Sequence, residues 1–185
     1  MELWATLEKI EMLRAHVFRY TKVKRQSPIS NKTGDFDIVQ CLNWVNIIAI
    51  TPDQKIVLIK QYRHGTDSIT TEIPGGAVNH KEDMLLAAQR ELQEETGYTA
   101  KVWESLGKVE VNPAFMTNYC ETFLAIGAVK THEQNLDPLE EIEVFLEDKD
   151  IINSLVLRGE ITHSLVIAAF YFYSSFQKQQ EQREL

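Results

Sequence analysis

The residues best suited to chemistry lie close together in residues 76–98, GAVNHKEDMLLAAQRELQEETGY. Glu91 and Glu95 are four apart and share one face of a helix; Glu94, three from Glu91, borders it. Three carboxylates this close repel one another and, unaided, weaken the helix that carries them. A hard divalent cation reverses that sign. Mg²⁺ takes oxygen ligands, keeps several waters and is commonly held by one or two carboxylates together with substrate phosphates. Arg90, four before Glu94, and Glu82 in the preceding loop form a pair that can orient carboxylates by charge-assisted bonds. Gly75 and Gly76 allow close backbone approach to a ligand.

These groups need a helix to hold them. Its expected extent is residues 82–96, with Asn79 as N-cap, Glu82 three residues on, a core stripe of Leu85, Ala88 and Leu92, and Gly97 as the stop. A last helix is expected over 164–177 and a short one over 150–158, ended by Gly159. Strand-like runs occupy 15–24, 36–40, 44–50, 55–61, 103–111, 119–129 and 141–146, with turn signals at Ser27-Pro28 and 31–35. Residues 61–65 read as a strand end running into a polar loop. A helix flanked by β-runs without strict βαβ alternation argues an α+β sheet sandwich.

The chain has 185 residues, enough for one domain with a substantial core, and 44% hydrophobic residues, which excludes disorder. Its formal net charge is −8. No dense basic stripe interrupts it; Lys22, Lys24 and Arg25 read as a solvated strand face, so nucleic acid is not the expected partner. An acidic protein acting on a polyanion needs cations to screen the encounter, and divalent metals supply them. Cys41 and Cys120 suit a reduced, cytoplasmic setting. The first ten residues lack a signal-peptide apolar region, and the longest apolar run, 165–173, is too short to span a membrane. His80 and His163 read as surface or helix-start residues without a role.

Alone, E-x-x-E-E reads as a solvated acidic face. The whole pattern is Gly, five residues, Glu, seven residues, then R-E-apolar-x-E-E-x-G-apolar, which chance produces about once in 10⁹ placements at ordinary residue frequencies. It resembles the Nudix box, and every position matches: Gly76, Glu82, Arg90, Glu91, Leu92, Glu94, Glu95, Gly97 and Tyr98. The resemblance implies an α/β/α sandwich with a mixed β-sheet and a loop-helix-loop metal site. It implies a hydrolase of nucleoside diphosphates linked to another moiety, using Mg²⁺, with Mn²⁺ as the alternative. By the same resemblance Glu91 and Glu95 are the principal metal ligands, Glu94 a further ligand or water orienter, the Gly75 carbonyl a backbone ligand, and Glu82–Arg90 a structural pair.

Outside the box, 61–65 (QYRHG), 72–76 (EIPGG) and Pro113, fifteen residues past Tyr98, resemble the ADP-ribose and nucleoside-diphosphate-sugar pyrophosphatases. Arg63 then meets the phosphates and Glu72 the substrate. Ala114 stands where a Gly often follows the Pro, and Asn118 and Tyr119 where an acidic residue is common, which leaves GDP-mannose or ADP-glucose open beside ADP-ribose. Trp44, Phe18, Tyr20 and Phe36 are candidates for an aromatic clamp on the base, with Trp44 set between Asn43 and Asn46. In that subfamily an acidic loop before an I-x-V strand supplies the catalytic base; offset from Ile142 selects Glu140, with Glu141 the neighbour. Residues 1–40 are expected to form an N-terminal β-hairpin region that makes a homodimer by exchanged strands, ahead of the Nudix domain over 41–185. Two alternatives stay open: a Nudix enzyme of nucleoside triphosphates, dinucleoside polyphosphates or capped RNA, and a non-catalytic Nudix-fold sensor.

Overall fold

The computed structural model describes residues 1–183. In chain order the elements are β1 (Ala5–Arg14), β2 (Arg19–Gln26), β3 (Thr33–Gln40), β4 (Trp44–Ile50), β5 (Lys55–Arg63), β6 (Ser68–Glu72), β7 (Gly75–Ala77), α1 (Met84–Thr96), β8 (Tyr98–Thr99), β9 (Val102–Glu110), β10 (Tyr119–Ile126), β11 (Val129–Lys130), β12 (Ile142–Asp148), α2 (Ile152–Leu157) and α3 (Ser164–Arg183). The described residues divide into two compact units: residues 1–43 with 110–119, and residues 44–109 with 120–183.

The first unit is an antiparallel sheet in the order β1-β2-β3. Residues 15–18, expected inside a strand, form the β1–β2 turn, closed by Ala15 N–H donating to the Phe18 carbonyl (2.9 Å). The reason is legible only in three dimensions: every residue of β1 is exposed, so no buried face imposes an alternation to mark where it ends. The second turn uses Ser27, whose hydroxyl accepts from Ile29 and Ser30 N–H. Residues 112–118 return to this unit, with Val39 N–H donating to the Phe115 carbonyl and Asn118 to the Leu42 carbonyl.

The second unit follows from the alternation of one strand. Along β4, Val45, Ile47 and Ala49 enter one core with Ala87, Ala88 and Leu92 of α1. Ile48 and Ile50 enter another with Leu155 of α2 and Val166, Ala169 and Phe170 of α3. A strand buried on both faces reads as a continuous apolar run, which is how residues 44–50 look. The result is the α/β/α sandwich: helices on both faces of a mixed sheet ordered β12-β5-β4-β10-β9, with β4 and β10 parallel and β4 and β5 antiparallel. Each fully buried Ile or Leu stabilises this layer arrangement by roughly 1.5–3 kcal/mol, so truncating Ile48, which is wholly buried, would cost about 2–5 kcal/mol.

Three short strands, β6, β7 and β8, were not expected. β6 pairs with β5, extending the hairpin across what reads as a polar loop, and β7 pairs with β4. The expected strand over 119–129 breaks at Gly127 (φ 71°), after which β11 pairs with β8. Among the described residues no helix is long and apolar enough to cross a membrane.

Candidate functional site

Helix α1 starts two residues later than expected and is capped by Asp83, whose carboxylate accepts from Leu85 and Leu86 N–H. Asn79 is not the cap. Its N–H instead donates to the Glu82 carboxylate (2.8 Å), closing the loop that precedes the helix. At the other end Gly97 takes a left-handed conformation (φ 74°) and donates to the Gln93 carbonyl.

Arg90 organises the acidic face. Its guanidinium donates to both oxygens of Glu82 (2.8 and 3.0 Å), to Glu91 (2.7 Å), to Glu94 (3.0 Å) and to the Ala77 carbonyl (3.1 Å). An arginine has five N–H donors, so all of them are engaged. Hydrogen bonds from Arg90 hold the Glu82 carboxyl down to about 2. Glu91 and Glu95 move the other way. Burial raises the Glu91 carboxyl despite Arg90. Burial raises Glu95 well above the usual range, with Glu91 and Glu140 adding repulsion. Glu95 is 2% exposed and accepts from Gly75 N–H (2.9 Å).

One cleft of about 450 Å³ collects Gly75, Glu91, Glu94, Glu95, Arg63 and Glu140. Glu140 reaches it from the loop before β12 and accepts from the Gln61 side chain (3.1 Å). That loop is tied to α1: Asn135 N–H donates to the Glu94 carbonyl, and the Gln134 amide to the Glu95 carbonyl. Glu141 is exposed and lines the neighbouring groove of Gln61, Tyr62 and His64.

The donors fit a hard divalent cation, although among the described residues no three acidic, histidine or cysteine side chains form a finished cage. All the donors are oxygens, and Glu95 is a buried carboxylate without an arginine bonded to it. A glycine leaves the space: a Cβ on Gly76 would lie 2.5 Å from the Glu91 carboxyl carbon. Gly75 is equally constrained, since a Cβ there would collide with the Val45 carbonyl.

A second pocket, of about 290 Å³, adjoins the cleft and shares Arg63 and Gly75–Ala77 with it. Trp44, Asn46, Glu72 and His163 line the remainder. Arg63 donates through Nε and Nη2 to the two oxygens of Glu72, both at 2.8 Å, and Thr70 donates to Glu72 Oε1 (2.6 Å). Burial pushes the Glu72 carboxyl up, but these bonds outweigh it and leave it below the usual range. Glu72 is 2% exposed and its oxygens are engaged by protein. Of the aromatic candidates, Trp44 lines this pocket, whereas Phe18, Tyr20 and Phe36 belong to the first unit. There Tyr20 bonds Asp37 (2.5 Å) and Phe36 packs edge-on against Trp4.

Sequence reasoning missed His163. It stands at the start of α3, as expected, but it is half-buried and lines the pocket, where it feels the charges of Glu72 and Arg63. A single His before an expected helix carries no local signal.

Residues 42–162 match the NUDIX domain family. The chain belongs to the Nudix family. It is 34% identical over 123 residues to an ADP-ribose pyrophosphatase of Bacillus subtilis (strain 168), covering 64% of this chain and 66% of that protein. It is 35% identical over 114 residues to a methanol dehydrogenase activator of Bacillus methanolicus, covering 62% and 60%. The matches therefore span less than two thirds of these two relatives. A solved structure titled as an ADP compounds hydrolase superposes with a TM-score of 0.86 over 97% of both chains at 19% identity, which shows the Nudix fold.

Proposed function

We propose that this Nudix protein is a Mg²⁺-dependent pyrophosphatase that hydrolyses nucleoside diphosphate sugars of the ADP-ribose, GDP-mannose or ADP-glucose type to a nucleoside monophosphate and a sugar phosphate. The observation that carries the reading is the cleft in which Glu91, Glu94, Glu95 and Glu140 face Arg63 beside a second pocket of balanced charge. The names of the relatives, including an ADP-sugar pyrophosphatase of Mus musculus at 31% identity over 126 residues, support the same substrate class.

Glu91, Glu95, Glu94 and the Gly75 carbonyl would hold the cation. When bound, Mg²⁺ or Mn²⁺ supplies Lewis-acid polarisation of the phosphoryl oxygens and acidifies the attacking water. The chain does the rest. Arg63, oriented by Glu72, offers its outward N–H groups to the phosphate oxygens. Glu140 accepts the proton of the attacking water, and its exposed neighbour Glu141 is the fallback for that role. Glu140 need not be in final geometry without substrate, because bases on loops often close only on the bound complex. Arg90 fixes the carboxylates so that their oxygens need not reorganise during the reaction. Trp44 provides an apolar wall for a ring.

Residues 1–40 act as the dimerising region in this reading, with strands exchanged between two copies. The support is the exposed apolar set on β1, namely Leu7, Ile10, Met12 and Leu13, each about half exposed. Two free thiols, Cys41 and Cys120, agree with a cytoplasmic setting.

The test is a product-resolved assay over ADP-ribose, GDP-mannose, ADP-glucose, UDP-glucose, a nucleoside triphosphate and capped RNA with Mg²⁺. Preferred cleavage of a nucleotide sugar to the monophosphate and sugar phosphate is the expected outcome. Preference for a triphosphate or cap, or no hydrolysis at all, would overturn the reading.

A further inference from the structure

The proposed base, Glu140, is bonded to a strand residue that has so far had no role. Gln61 lines the carboxylate cleft with Glu140, and its Nε2 donates to Glu140 Oε1 (3.1 Å). The other end of the amide, Gln61 Oε1, is sealed from solvent and makes no hydrogen bond among the described residues. Turned over, the amide would set that carbonyl against a carboxylate, acceptor against acceptor, so the nitrogen takes the Glu140 side. A buried carbonyl left unpaired weakens a fold. The orientation that leaves it so is the one that serves Glu140.

The backbone fixes both partners. Gln61 lies in β5 with a strand on either side: it is the register partner of Ile142 in β12 and of Thr70 in β6, and the Thr70 hydroxyl donates to its carbonyl (3.3 Å). Glu140 comes two residues before Ile142, which makes it the diagonal neighbour of Gln61, within reach of long side chains. The far end of its loop is anchored too. The Gln134 amide donates to the Glu95 and Ile142 carbonyls (2.7 and 3.2 Å), and Asn135 N–H to the Glu94 carbonyl (2.8 Å). Between these anchors Asp137, Pro138 and Leu139 are exposed, as is Glu141 just beyond, whereas Glu140 is half-buried. The charge of the cleft opposes that inward placing. Glu91 and Glu95 repel Glu140, and Arg63 offsets part of the repulsion.

We propose that Gln61 is a positioning residue for the hydrolysis: its amide holds Oε1 of Glu140 against the repulsion of the cleft and leaves Oε2 to accept the proton of the attacking water. The proposal rests on the reading of Glu140 as the base and adds the group that keeps it in place. In the step served, the water oxygen bonds to phosphorus, the bridging anhydride oxygen leaves with the electron pair of the broken bond, and the water proton passes to Glu140. A base works only within hydrogen-bond reach of its water, and a side chain on a loop keeps that reach through a neighbour on a rigid element. Gln61 is uncharged, so its loss should fall on kcat rather than on the binding of phosphates.

The test is a double-mutant cycle on kcat and KM for ADP-ribose with Mg²⁺, using the wild type, Gln61→Met, Glu140→Ala and the double variant. Methionine keeps the length of glutamine and lacks the amide; Gln61→Leu takes its place in the cycle if Gln61→Met fails to fold. Gln61→Met should lower kcat about tenfold, the scale of one hydrogen bond, with KM within about twofold. In the Glu140→Ala background the same change should move kcat by no more than about twofold, because the group it positions is gone. A merely structural role, or a direct contact with substrate, would cost the same factor in both backgrounds. Equal losses in the two backgrounds, a loss carried by KM, or wild-type kcat in Gln61→Met overturns this proposal, and the functional reading stands if Glu140→Ala is slow. Full activity in Glu140→Ala removes the base from Glu140 and overturns the proposal with it. No hydrolysis of any nucleotide sugar by the wild type overturns the functional reading as a whole.

Discussion

Two arginines of the second unit stand in opposite circumstances. Arg90 is surrounded by Glu82, Glu91 and Glu94, and its five donors are all engaged by protein. Arg63 pairs with Glu72 alone and engages two of its donors among the described residues. The first arrangement leaves negative charge in surplus, increased by the nearby Glu95 and Glu140; the second is balanced. A saturated arginine is scaffold, and its carboxylates call for a further cation. A partly engaged arginine retains donors for a ligand. In the proposed reading the cation and pyrophosphate lie at the Arg90 side, and Arg63 is the bridge to the balanced pocket that would take the ring.

The comparison breaks most sharply at Glu95. Glu95→Gln is expected to lower kcat/KM by orders of magnitude, because it removes charge beside the phosphates. The same change should raise the thermal midpoint of the metal-free protein at neutral pH. Burial raises this carboxyl, and a group whose folded value lies above its unfolded one destabilises the fold once ionised. Opposite signs in a rate assay and a melting curve on one variant would be hard to obtain from a purely structural glutamate. Near-wild-type turnover at saturating Mg²⁺ would contradict the assignment.

Glu140→Gln is expected to depress kcat by about 10²-fold or more with KM little changed, as for loss of a general base. Glu141→Gln, at an exposed position, should stay near wild type. The reverse result would move the base to Glu141, and full activity in both would remove it from this loop.

Arg63→Ala sharpens the contrast between the arginines. KM should rise about tenfold through loss of phosphate contacts. Stability should fall by roughly 2 kcal/mol, because the buried Glu72 loses its counter-charge while the partly exposed Arg63 limits the loss. Denaturant titration and steady-state kinetics on one preparation check both.

The smallest effect concerns acid stability. Arg90 depresses Glu82 to about 2, so the pair's contribution is present above the ordinary carboxylate range and lost as pH falls from about 4.5 toward 2. Glu82→Gln should flatten this part of the stability-against-pH curve and leave neutral-pH turnover within a few fold. An unchanged acid limb would show that the pair contributes little.

How much of this was legible in the sequence depended on the range of the interaction. The stop at Gly97 and the acidic face of α1 are local, set by spacing and by a residue that tolerates φ above zero, and both were readable. The cap was misjudged because Asn79 and Asp83 are both good caps, and the choice falls to a loop in which Glu82 already bonds the Asn79 N–H. β6 and β7 escaped notice because residues 61–65 read as running into a polar loop and Gly75 and Gly76 carry no strand signal; only pairing with β5 and β4 makes strands of them. The pairing of Arg63 with Glu72 spans nine residues and depends on the β5–β6 hairpin, which was not foreseen, and the placing of His163 is long-range. The position of residues 15–18 was lost for the opposite reason: an exposed strand has no buried face to set its register.

The claim beneath all of this is that the acidic cleft is completed by a divalent cation and then hydrolyses a nucleotide sugar. The direct measurement is release of AMP and ribose 5-phosphate from ADP-ribose as Mg²⁺ is titrated into chelator-treated protein. The account predicts no turnover in excess chelator, saturable recovery with Mg²⁺, and no recovery in Glu95→Gln over the same range. Equal turnover with and without chelator, or none at any Mg²⁺ concentration, would contradict it.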